Sequence, residues 1–252
     1  MKMKKDIHMT AKDLLGMLQI KPGDFGNYAI VPGPADRRDA VLKYVQNPVR
    51  NFSFMEYTFY SGEFNGTKIT VGNGGRYSSD SAISAEILSN GGVKNLIRAG
   101  SCGALKEDIQ VGDIIIATGA IRGDGVTPYY VKDDFKTTAD EKLNAALAQA
   151  CKKLGLRLHQ GPVWTTDALL RETREIVEKY ASLGAIAVDM VSSSFLTIAQ
   201  LNNCKAASIM AVSDNVITGE MGFTNINYYE AEQNIIKVAL EAIKILETAP
   251  DS

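Results

Sequence analysis

Two histidines, His8 and His159, and three cysteines, Cys102, Cys151 and Cys204, are all that the 252-residue chain offers a zinc ion in imidazole or thiolate. No spacing among them matches a zinc site, so the sequence implies no metal. The cysteines are odd in number and far apart, which argues for reduced thiols and a cytoplasmic protein rather than a disulfide scaffold. A basic excess is missing too: 27 Lys and Arg stand against 29 Asp and Glu, a net charge of −2. That excludes the electrostatic footprint of a nucleic-acid binder. No apolar run reaches the roughly 18 residues of a membrane span. The opening MKMKKDIHMTAKDLL has a charged head with no long apolar stretch behind it, which argues against a secretory signal. Linkers, low-complexity segments and repeats are absent as well.

What is present is 45% hydrophobic residues, laid out as short apolar runs alternating with helical patterns. Strands are predicted at 28–31, 68–73, 95–100, 113–118, 185–190 and 206–212. Helices are predicted at about 35–45, 78–90 and 228–247. The last carries Ile235, Ile236, Ala239, Leu240, Ile243 and Leu246 on one face, a 3.6-residue period. Continuous rather than alternating β-branched runs indicate strands buried on both faces. The reading is an α/β single domain over residues 1–252, with a central, mostly parallel (mixed) sheet flanked by helices and an N-terminal arm and helix over 1–25.

Ligands of such sheets bind beyond the carboxyl ends of the strands. The unusual residues expected there are Gly33 with Arg37, the loop Gly72 to Arg76, Arg98 to Ser101, Asp189 with Met190, and Ser213 with Asp214. Glycines admit backbone N–H groups and arginines supply donor forks, so these residues suit a small anion such as phosphate. Asp214 is a candidate acid or base. Plainer readings stand beside these: Pro32-Gly33 as a turn, Arg37 as an exposed helix charge, Ser213-Asp214 as a helix N-cap. Arg98 resists a plain reading, since a charge following an apolar strand needs a partner.

The segments IVPGPADR, LIRAGSCGAL, VGDIIIAT, AVDMVSSS and AVSDN, in this order, resemble the nucleoside phosphorylase superfamily of the hexameric purine nucleoside and uridine phosphorylase type. The resemblance implies that Arg98, Ser101, Gly33 and Arg37 hold phosphate. Phosphate then attacks C1′ of a nucleoside, releasing the base and ribose 1-phosphate with no metal or organic cofactor. It implies that Asp214 protonates the purine N7, since uridine-type members lack this residue. It places Leu169, Val188 and Ser213 at the base, with Met190 and Asp189 at the ribose. It also implies that His8 reaches the ribose of a neighbouring subunit, in a homo-oligomer running from dimer to hexamer.

Several family positions are changed. The glutamate that accepts the ribose diol is Val191, the arginine donated across the dimer is Met55, and the arginine that assists the catalytic aspartate is Asn227 or Tyr228. Arg76, in a lengthened glycine loop, is expected to replace the lost arginine, and Asp189 or Ser192 to bind the sugar. Alternatives are a uridine phosphorylase or nucleosidase on another glycoside, and a non-catalytic nucleoside-binding member.

Overall fold

The computed structural model describes residues 6–248. The two ends of the expected 1–252 domain, including the start of the 1–25 arm, lie outside those residues. In chain order the regular elements begin with α1 (Ala11–Met17), β1 (Tyr28–Pro32), α2 (Ala35–Leu42), β2 (Gln46–Phe54), β3 (Tyr57–Phe64), β4 (Thr67–Gly72) and α3 (Ser78–Asn90). They continue with β5 (Asn95–Ala104), β6 (Ile114–Gly123), β7 (Thr137–Thr138), α4 (Glu141–Lys153), β8 (Leu158–Thr166) and α5 (Arg174–Ser182). The last are β9 (Ala187–Asp189), α6 (Ser192–Leu201), β10 (Lys205–Asn215), β11 (Glu220–Met221) and α7 (Ile226–Thr248). Among the described residues no helix is long and apolar enough to cross a membrane.

Local chemistry explains where several helices start. Thr10 and Asp13 form a reciprocal capping box at α1, and the Asp140 side chain accepts from the Leu143 N–H at 2.9 Å at α4. Asp80 caps α3 through the N–H groups of Tyr77 (2.6 Å) and Arg76 (3.3 Å). On α7, Ile235, Ile236, Ala239, Leu240 and Ile243 are buried, as their period demands.

The strands form one mixed sheet. The pairs β4–β1, β1–β5 and β5–β10 are parallel, as are β6–β8 and β8–β9. The pairs β10–β6 and β5–β9 are antiparallel, and so are the β2–β3–β4 meander and the short β7 and β11. Of the meander only β4 coincides with a predicted strand; the antiparallel pairing of β2 and β3, with that of β10–β6 and β5–β9, makes the sheet mixed. Its inner part closes on itself: β5 pairs with β10, β10 with β6, β6 with β8, β8 with β9, and β9 with β5. This ring has no free edge.

Closure corrects the reading of Arg98. The strand does not end there; β5 runs on to Ala104, and the small residues lie inside it rather than in a turn. They are small because space is short. A Cβ on Gly103 would stand 2.9 Å from Asp214 Oδ2 and 3.0 Å from Val216. A Cβ on Gly100 would stand 2.2 Å from the Arg98 Cζ. Arg98 thus folds along its own strand over Gly100, and Gly100→Ala is expected to cost about 1–3 kcal/mol by overpacking. A denaturant midpoint unchanged by this substitution would contradict that placement of Arg98.

Candidate active site

Arg98 is 4% exposed and meets Asp189, itself 4% exposed, at 3.1 Å. Asp189 accepts from Thr165 Oγ1 (2.7 Å), from the Ser192 N–H (2.9 Å) and from Ser192 Oγ (2.6 Å). Ser208 Oγ lies 2.9 Å from Ser192 Oγ and 3.5 Å from Arg98 Nη1. Asp189 sits at the end of β9 and Ser192 opens α6, so the helix start supplies the donors that stabilise this buried carboxylate. The sugar roles expected for Asp189 and Ser192 give way here: both spend their bonding capacity on fixing Arg98. The guanidinium itself is not fully spent, because its buried Nε has no hydrogen-bond partner. A buried donor left unpaired is uncommon and calls for an acceptor.

Ala99 and Ser101 follow Arg98 along β5. Arg37, on α2 and 7% exposed, reaches that region and donates from Nη1 to the Ala99 carbonyl at 3.2 Å. Arg37 is no exposed helix charge. Burial, with the charge of Arg98 nearby, brings its guanidinium down to about 10, so it stays cationic at neutral pH. Its Nη2 pairs with Glu232 of α7. Gly33 lies beneath the glycine loop: Gly75 donates to the Pro32 carbonyl at 3.1 Å, and a Cβ on Gly33 would stand 3.2 Å from the Arg76 Cα. The side chain of Arg76 goes elsewhere. It pairs with Glu56 at 2.7 Å, lies over the Tyr77 ring and is 45% exposed. The expected replacement of an arginine at Met55 is not what Arg76 does, because the hairpin tip that carries exposed Met55 also brings the carboxylate of Glu56.

Ser213 and Asp214 lie within β10, which continues to Asn215, so they are neither beyond the strand nor a helix cap. Ser213 Oγ donates to Asp214 Oδ1 at 2.6 Å and lies 3.1 Å from the Cys102 carbonyl. Val188 is buried and pairs with Gly103 across the ring, which sets it beside Asp214. The charges of Asp189, Arg98 and Asp214 all act on the buried Cys102 thiol, which burial first of all pushes well above its ordinary range. These groups therefore converge on the far half of β5. Met190 follows β9 and its carbonyl accepts from Ser78 Oγ at 3.1 Å. Leu169 is half-exposed on a short 3-10 turn, and His8 is exposed in the arm before α1. Val191 is fully buried in a core cluster with residues of α3 and α6.

Sequence reading missed Glu172, Glu232 and Thr165. Glu172 follows the turn that holds Leu169, and nothing in the sequence distinguishes it from any surface acid. Burial, then the charge of Asp214, pushes its carboxyl from 4.5 up to about 7. The folded chain thus binds this proton more tightly than the unfolded chain, so stability falls as pH rises from about 4.5 to about 7. Glu172→Gln is expected to remove that slope. Unfolding midpoints at pH 5 and pH 7.5 check it, and equal slopes in both proteins would contradict the placement.

A cavity of about 1120 Å³ lies beside α4 and is lined by Thr118, Asp140, Asn144, Gln160 and Lys205, among others. It holds none of these converging groups.

Fold and site together define an α/β protein that carries buried arginines beside a carboxylic acid at the rim of a closed ring of strands. Residues 27–249 match the family model described as the phosphorylase superfamily. A purine nucleoside phosphorylase DeoD-type of Brevibacillus brevis is 35% identical over 190 residues, 74% of this chain and 80% of that protein. A uridine phosphorylase of Thermococcus kodakarensis is 30% identical over 240 residues, 90% of this chain and 84% of that protein. The uridine phosphorylase structure from Vibrio fischeri superposes with a TM-score of 0.81 at 24% identity, over 90% of this chain and 96% of that one; this likeness concerns the fold. The chain belongs to the phosphorylase superfamily.

Proposed function

We propose that this protein is a nucleoside phosphorylase, a pentosyltransferase that cleaves purine nucleosides with phosphate. The observation that carries the reading is Arg98, a buried guanidinium locked by Asp189 with an unpaired Nε, on β5, the strand whose Gly103 pairs with Asp214 of β10. Phosphate bound by Arg98, Arg37, Ser101 and the Gly33 loop attacks C1′. The C1′–N9 bond breaks, Asp214 passes a proton to N7, and the base leaves neutral. The products are the free base and ribose 1-phosphate or its deoxy analogue. Phosphate is the nucleophile, so the reaction needs no metal or cofactor.

Relatives bear both purine and uridine names, and Asp214 favours the purine. Leu169, Val188 and Ser213 would pack the base, with Met190 under the sugar. We place His8 at the ribose of a neighbouring subunit in a cytoplasmic homo-oligomer, dimer to hexamer. The exposed side chains of Tyr129, Leu170 and Phe223 support such a subunit contact.

Val191 and the occupied Asp189 leave the ribose 2′-hydroxyl without a carboxylate from the positions that resemble the family's. Inosine and 2′-deoxyinosine are therefore expected to react with kcat/KM within about tenfold of each other, since a neutral hydrogen bond contributes only about 0.5–1.5 kcal/mol. Uridine is expected to react more slowly than either. Steady-state assays of the three with phosphate test this; uridine as the best substrate would overturn the purine reading.

A further inference from the structure

The two buried arginines are already neutralised by the chain itself. Arg98 is matched by Asp189 and Arg37 by Glu232. A phosphate dianion entering between them meets no net positive charge from these four groups. The two carboxylates differ in how firmly they are held. Asp189 is enclosed and receives three hydrogen bonds from Thr165 and Ser192. Glu232 has a side chain 21% exposed on α7, and its other partner is Tyr228 Oη, one helical turn earlier, which donates to it at 2.9 Å. Arg37 retains the Ala99 carbonyl as a separate anchor, so its fork stays in place when Glu232 moves away.

We propose that Glu232 is a displaceable internal anion that occupies the phosphate-binding fork of Arg37 and sets the phosphate affinity of this enzyme. The inference rests on the reading of Arg37 as a phosphate ligand. Phosphate binds by exchange: the Glu232 carboxylate leaves Arg37 for Tyr228 and solvent, and a phosphate oxygen takes its place. Such an exchange gains less than filling an empty fork, because one charge-assisted pair is lost for each one formed. The same carboxylate, swung aside but still near, repels the bound anion. Glu232 is in this sense a positioning and affinity-setting residue; it takes no part in bond making.

The test is titration calorimetry with inorganic phosphate on the full chain, which reads binding whether or not any nucleoside is cleaved. Glu232→Gln keeps the size and the hydrogen bond of the side chain and removes its charge. Glu232→Ala serves as a second variant should the first unfold. Phosphate affinity is expected to rise about tenfold or more in both, as loss of one competing charge-assisted contact implies. Adding Arg37→Ala to Glu232→Gln is expected to abolish the gain. Affinity for a nucleoside is expected to stay within about twofold, which a general loosening of the site would not allow. Unchanged or weaker phosphate binding in the variants overturns the proposal, and so does a gain that survives Arg37→Ala. Failure of phosphorolysis itself would appear separately, as binding of phosphate without turnover.

Discussion

Asp214→Asn is expected to lower turnover of purine nucleosides by about 10²- to 10⁴-fold, the usual contribution of a positioned general acid, while nucleoside binding changes little. The amide retains the size of the carboxyl and can still accept from Ser213 Oγ, now 2.6 Å from Asp214 Oδ1. It has no acidic proton to give N7. The loss therefore falls on kcat, and a substrate whose base leaves easily as an anion should suffer less than inosine. Equal losses in kcat and in binding would mean that Asp214 holds the base rather than protonating it. Glu172→Gln offers the internal comparison. Its carboxyl lies near enough for the charge of Asp214 to act on it, yet the account gives it no proton to transfer, so its effect on kcat should be far smaller.

Arg98→Ala is expected to destabilise the fold by about 3–5 kcal/mol, because it strands Asp189 as a buried charge without its cation. For a chain of this size each kcal/mol shifts the melting point by roughly 2–4 °C, so the fall is easily seen. Phosphate affinity should collapse in the same variant. The two effects are separable. Replacing both partners, Arg98→Met with Asp189→Asn, is expected to recover much of the stability, because removing a buried pair costs far less than breaking one. It should recover none of the phosphate binding. If phosphate binds the double variant as it binds the parent chain, Arg98 serves the fold alone.

The sequence was most legible where one local rule sufficed. The approximate helix at 78–90 coincides with α3, and the buried face of α7 follows from its period. Arg98 was legible as an anomaly, but its answer was not. Its partner, Asp189, lies 91 residues further on and meets it only because β9 closes against β5. A glycine run inside a strand also reads locally as a turn; only the crowding over Gly100 and Gly103 shows why a strand there must be so slim. The strand β2 is hard to read for a different reason: most of its residues, Val49 among them, are exposed, so it carries no apolar alternation. Glu232 was invisible as a site residue because an acid on a helix face is ordinary. It acquires meaning only when α7 packs beside α2 and delivers it to Arg37. Arg76 erred in the other direction: its position in a glycine loop suggested an anion ligand, and a neighbouring hairpin supplied Glu56.

The most direct test of the account is the phosphate dependence of inosine cleavage, followed by identification of the sugar product. The prediction is hypoxanthine release that requires inorganic phosphate and saturates with it, with ribose 1-phosphate formed in equal amount. Hypoxanthine release that proceeds equally well without phosphate and yields free ribose would contradict it, as would tight binding of inosine with no cleavage under either condition.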